Sequence, residues 1–112
     1  MLTSAECPKN MLAIKDALDV VDGKWRLLIL IALAEESKRF SQISKEVTGI
    51  SDKMLSKELQ ALEINKLIKK DVTNLFPAAV EYSITAHGKS LEQVMKELYR
   101  WGLEHRKEII GR

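Results

Sequence analysis

Four side chains between residues 53 and 60 have the types and spacing to read a nucleic-acid duplex. Lys53, Ser56, Lys57 and Gln60 follow an i, i+3, i+4, i+7 pattern, which puts them on one face of a helix. Lysine donates to guanine acceptors or to phosphates, glutamine pairs with adenine, and serine serves a base or a phosphate. Leu55, Leu59 and Leu62 lie largely on the other side, so the polar face is expected to look outward. Ser51 stands where it can cap this helix, and the free N–H groups of such a start could also hold a phosphate. The same pattern also describes a solvated outer face.

Charge adds weight to the first alternative. The whole chain is nearly neutral, at +2. Residues 37–70 carry Lys38, Arg39, Lys45, Lys53, Lys57, Lys66, Lys69 and Lys70 against Glu46, Asp52, Glu58 and Glu63. That stretch is therefore +4, and the remainder is −2. A local basic surface on a neutral protein fits a DNA-binding face, although a lysine-rich solvated helix produces one too.

Cys7 is the only other residue with evident reactivity. It sits beside Pro8 and Lys9, and a helix start and a nearby cation both favour the thiolate. Being alone, it can form no intrachain disulfide and no multi-cysteine zinc site. Its chemistry would be limited to an adduct or a bridge to another molecule. His87 and His105 have no second ligand at metal-site spacing, so neither a metal nor a cofactor is expected. There is no glycine-rich phosphate loop, and Cys7 with a distant histidine is too thin for a thiol hydrolase. No enzyme is expected. Aromatic residues make up 5% of the chain, which leaves few platforms for stacking single-stranded bases.

The elements that must position these groups follow from periodicity. At 112 residues the chain is expected to form one domain spanning 1–112. The longest apolar run, Leu27–Ala34, is too short to cross a bilayer. The first ten residues lack a charged start followed by an apolar stretch, so a cytoplasmic protein is expected. Met11, Ile14, Leu18 and Val21 predict a first helix over 8–21. Asp22-Gly23 breaks the chain, and Asp22 is expected to cap a second, apolar helix over 24–36. Phe40-Ser41 opens a short third helix, Gly49 ends it, and Ser51 caps a fourth over 52–64 with Asn65 as its left-handed terminator. Residues 67–72 and 79–84 read as two strands joined by a loop. Thr85 is expected to cap one long last helix striped by Leu91, Val94, Met95, Leu98 and Trp101.

A short helix, a tight turn, a second helix with a polar outer face and then a hairpin describe a winged helix-turn-helix, mainly α with a small β-hairpin. Its usefulness is physical, because the major groove admits one helix and the hairpin can touch the backbone alongside. Met11, Ile14 and Leu18 on the first helix, with Leu98, Trp101 and Leu103 on the last, offer more apolar surface than a small monomer readily covers. They either complete the protomer core or face a second copy.

The order Cys7-Pro8, Gly23-Lys24-Trp25, Arg39-Phe40, Gly49-Ile50-Ser51, Lys53-Met54-Leu55, Pro77, Val80-Glu81-Tyr82-Ser83, Thr85, Gly88 and Trp101 resembles the HxlR-type family of bacterial transcriptional regulators over nearly the whole chain. The resemblance implies a homodimer with extra N- and C-terminal dimerisation helices, bound to double-stranded operator DNA. It makes the helix from Ser51, Met54 included, the recognition helix. It makes residues 73–79 the wing and puts Arg39 near the DNA backbone. In some members a cysteine at the position of Cys7 senses oxidants or electrophiles. Asp22 stands where the family commonly has a second glycine, and Asn65 where it has a glycine before the hairpin. The wing has Pro77-Ala78-Ala79 instead of two prolines and a basic residue, which leaves more of the DNA contact to Asn74, Lys69 and Lys70. A small-molecule effector at the dimer interface is compatible with this arrangement, but no residue demands it. The alternative function is a winged-helix protein-interaction module whose lysine face is merely solvated.

Overall fold

The structure, a computed structural model, describes residues 7–73 and 79–111, with side chains from Lys9 onward. The order is α1 (Cys7–Val20), α2 (Arg26–Ala32), α3 (Phe40–Glu46), α4 (Asp52–Ile64), β1 (Ile68–Thr73), β2 (Ala79–Ile84), α5 (Ala86–Lys89) and α6 (Glu92–Ile110).

The core forms where the apolar periods of α2, α3 and α4 meet the start of β1. Ile29, Leu30 and Leu33 pack with Ile43, Val47 and Ile50, with Leu55, Leu59 and Leu62, and with Leu67 and Ile68. Trp25, Phe40, Met54 and Tyr82 close its margins. One charged residue enters this layer. Glu58 lies on the leucine side of α4 at 7% exposure, and its Oε2 accepts a hydrogen bond from Arg26 Nε at 2.8 Å.

α2 is shorter at both ends than the helix expected over 24–36. Asp22 does not cap it, because Gly23 (φ 80°) and the turn through Trp25 separate Asp22 from Arg26. At the other end Leu33 N–H is shared between Ile29 O and Leu30 O, and Ala34 N–H bonds Ile31 O. These tightened bonds close the last turn. Lys38 Nζ then satisfies the Ala32 carbonyl at 2.5 Å. The helix is apolar nearly all round, but only one side is covered, with Leu28 and Ile31 46% and 56% exposed.

α4 forms as expected. Ser51 is extended at the N-cap and its Oγ accepts the Met54 N–H at 3.1 Å, which satisfies one of the four unpaired donors of the first turn. The exit differs by one residue. Asn65 keeps φ at −82°, and Lys66 takes the left-handed conformation at φ 63°. Leu67 N–H reaches Leu62 O, and Lys66 N–H reaches Glu63 O, the two bonds of a Schellman ending. Asn65 contributes through its side chain, with Nδ2 donating to Ala61 O at 2.9 Å.

β1 and β2 pair antiparallel from Ile68↔Ile84 to Thr73↔Ala79. Residues 74–78, the expected wing tip with Asn74, lie outside the described residues. A third strand position was not legible in the sequence. Lys38 and Tyr82 exchange two backbone hydrogen bonds, at 2.9 and 2.8 Å, and so cover the outer edge of β2.

The single last helix is in fact two. Thr85 caps α5, with its Oγ1 accepting from Gly88 N–H at 3.0 Å and donating to Lys66 O at 2.7 Å. α5 presses so tightly on the residue that leads into β1 that a Cβ on Gly88 would sit 2.2 Å from Leu67 O. The helix restarts at Glu92. Leu91 and Met95 pack against the core, but no residue of α6 itself is buried.

Candidate nucleic-acid interface

α4 divides cleanly into two faces. Leu55, Glu58, Leu59 and Leu62 are buried, which fixes the rotation of the helix. Lys53, Ser56, Lys57 and Gln60 are all exposed on the other side. The structure therefore brings together the four residues singled out by spacing. Met54 is only half-exposed and packs against the core, so its role in the motif is to seat the helix. Ser51 Oγ accepts in the cap, which leaves its hydroxyl hydrogen free to donate outward. Asp52 lies in the same first turn, and its carboxylate is 3.3 Å from Ser44 Oγ.

The hairpin adds one lysine to this face, not two. Adjacent strand residues point to opposite sides of a sheet. Lys70, paired with Tyr82, lines a shallow groove between α4 and the hairpin together with Ser56, Gln60 and Glu63. Lys69, paired with Ser83, must face the other side. Arg39 is exposed at the N-cap of α3, as expected for its position in sequence. It lines a separate depression with Asp71, Thr73, Ala79 and Glu81. Asp71 and Glu81 are directly opposed in the ladder, so that side of the wing base carries paired negative charge.

Counting basic residues along the chain overstated the patch. Lys38 is committed to the interior, with its side chain 12% exposed and its Nζ bonded to Ala32 O and to Glu46 Oε2 at 2.6 Å. The candidate cations that share the outer surface of α4 are Lys53, Lys57 and Lys70. Sequence reasoning missed the ion pair that lies behind this surface. Arg26 Nε bonds Glu58, and its Nη1 donates to the carbonyls of Asp19 and Val20 at 2.9 and 3.1 Å. The available signal was Glu58 itself, an acid in the middle of a leucine stripe.

The residues proposed for dimerisation lie on the two terminal helices. Met11, Ile14 and Leu18 are 54%, 48% and 61% exposed, and Leu98, Trp101 and Leu103 are 49%, 63% and 43% exposed. They do not complete the protomer core. Trp101 stacks on His105 with centroids 4.8 Å apart. Cys7 opens α1, and its side chain lies outside the described residues. Among the described residues no helix is long and apolar enough to cross a membrane.

Comparison with known proteins agrees with this geometry. The chain is 34% identical over 106 residues to the HTH-type transcriptional regulator YtcD of Bacillus subtilis (strain 168), covering 95% of this chain and 84% of that protein. The redox regulator HypR in its reduced form superimposes with a TM-score of 0.80 at 28% identity, over 89% of this chain and 99% of that one. The reduced transcriptional regulator YodB from B. subtilis gives 0.75 at 27% identity, over 97% and 95%. The model of the HxlR-like helix-turn-helix family matches residues 20–109, and the chain belongs to that family.

Proposed function

We propose that this protein is a transcriptional regulator that binds double-stranded operator DNA as a homodimer, with α4 in the major groove. The observation that carries this reading is the division of α4. Its leucine face is locked into the core, and Lys53, Ser56, Lys57 and Gln60 stand free on the opposite face with Lys70 beside them. The names of the related proteins support the same class of function.

Dimerisation is supported by shape and exposure. The radius of gyration is 16.7 Å, against about 13 Å for a compact chain of this length. The apolar stripes of α1 and α6 are left open. A two-fold dimer through these helices would present two copies of α4 to half-sites roughly 34 Å apart. Cys7 at the start of α1 is a reasonable sensing group in such a dimer, and similarity to the redox regulator HypR supports it. Cys7→Ser is expected to abolish any change in DNA affinity caused by diamide.

The primary test is selection from a random duplex pool, followed by fluorescence anisotropy of the selected and shuffled duplexes at two salt concentrations. Specific binding that survives the higher salt is expected. Weak, equal binding that vanishes with salt would identify a protein-interaction module instead. Lys57→Ala is expected to weaken the selected duplex by about 1–3 kcal/mol if Lys57 meets a base. Equal losses on both duplexes would make it a phosphate contact.

A further inference from the structure

The guanidinium of Arg26 joins three helices at one point. Its Nε donates to Glu58 Oε2 at 2.8 Å, on the buried side of α4. Its Nη1 donates to Asp19 O and Val20 O, the last carbonyls of α1, at 2.9 and 3.1 Å. Arg26 itself is the first residue of α2. The ion pair is well shielded, with the two side chains 17% and 10% exposed.

Apart from Arg26, α1 is held at its C-terminal end by Val20, which packs against the core. Residues Val21 to Trp25 form a turn with Gly23 at φ 80°. From Met11 to Asp19 every residue of α1 is exposed. The orientation of α1 relative to the core therefore depends heavily on the bonds at its C-terminal end. A cation is favoured there by the unpaired carbonyls of the helix. A planar, forked guanidinium can satisfy a carboxylate on one edge and carbonyls on another, which an ammonium on a flexible stem does not reproduce.

We propose that Arg26 is a positioning residue for DNA recognition. It fastens the α1 arm to the inner face of the recognition helix, and so sets the angle between the dimerisation arm and α4. This rests on the function proposed above. In a dimer held through α1, that angle determines how far apart the two copies of α4 lie, and hence which half-site spacing the protein accepts. Arg26 touches no DNA in this account, and acts through α1 and Glu58.

The test separates geometry from folding and from DNA binding. Arg26→Met alone strands a buried carboxylate and is liable to unfold. The double variant Arg26→Met with Glu58→Met removes both charges, an exchange that buried ion pairs commonly tolerate. Nitroxide labels on Lys15→Cys and Ser56→Cys, in a Cys7→Ser background, report the α1–α4 distance. Both positions are exposed, and dilution with excess unlabelled chain isolates pairs within one protomer. A distance distribution at least twofold broader in the double variant, or displaced, is expected. An unchanged centre and width would overturn the proposal, whether or not the protein dimerises or binds DNA. Unlabelled protein is then tested on selected half-sites set at varied spacings. The parent's preference for its best spacing is expected to fall at least tenfold in the double variant, with single half-site affinity changed less than threefold. Equal losses at every spacing would make Arg26 merely structural. Failure of the parent to select any duplex would count against the proposed function, and the label distances would still decide the role of Arg26.

Discussion

Leu55 and Leu98 are the same residue on the apolar stripes of two helices, yet Leu55 is fully buried and Leu98 is 49% exposed. The contrast extends to the regions around them. From α2 to β2 one set of apolar residues finds partners within one chain, and α2, α3 and α4 enclose a continuous core, while Leu28, Ile31, Ile64 and Val72 stay exposed. α1 and α6 have comparable amphipathic patterns but, among the described residues, only Val20 and Met95 of their apolar residues pack on the core and the rest are exposed. Periodicity specifies which side of a helix is apolar, and leaves open which chain supplies the other surface.

The largest expected effect tests that contrast directly. Leu55→Ala should destabilise the protein by about 2–5 kcal/mol, the range for a leucine removed from a packed interior. Leu98→Ala should change protomer unfolding by no more than about 0.5 kcal/mol in dilute solution, and should instead raise the dimer dissociation constant. Urea denaturation at two protein concentrations, with sedimentation equilibrium, separates the two. Equal, concentration-independent losses would mean that α6 belongs to the protomer core, and the contrast would fail.

The parts legible in the sequence are those with a local signature. Ser51, the leucines of α4 and the alternation over 79–84 each carry their own pattern, and those elements appear with the expected bounds. The α4 face was legible for the same reason, because spacing along one helix converts directly into a shared surface. What was not legible depends on partners far along the chain. Lys38 pairs with Tyr82 across 44 residues of sequence, and a single bridge position has no period to detect. Arg26 and Glu58 are 32 residues apart. Lys38 counted toward the basic stretch of residues 37–70 because charge was summed along the chain, whereas its ammonium is drawn inward by Ala32 O and Glu46. Lys69 and Lys70 were separable from the pleat alone, since neighbours on a strand cannot share a face.

Two glycines give the comparison a second form. Gly88 lies where α5 meets β1, and a Cβ there would be 2.2 Å from Leu67 O and 2.6 Å from Ile84 Cγ1. Neither can easily give way. Leu67 O accepts the Thr85 N–H at 3.0 Å, and Ile84 is paired with Ile68 in the ladder. Gly88→Ala should cost about 1–3 kcal/mol, as overpacking does, and appear as a lower urea midpoint with an unchanged slope. Wild-type stability in this variant would mean that α5 is free to move away from β1, making it part of the arm and not of the core.

Gly102 is the counterpart in the arm. It sits inside α6, and a Cβ built on it meets nothing within 4 Å. Glycine within a helix is destabilising relative to alanine by roughly 0.5–1 kcal/mol. Gly102→Ala should therefore stabilise α6 by about that amount in dilute protein, seen as a gain in helical circular dichroism and in thermal midpoint. The same substitution then reports on the open face. If the dimer forms at least as tightly as in the parent, no partner backbone approaches α6 at this point. If dissociation becomes easier while the dilute protomer is more stable, the added methyl group must meet an atom of the second chain. The contrast between a core glycine and an arm glycine would then be one of timing, with Gly88 crowded on folding and Gly102 crowded on assembly.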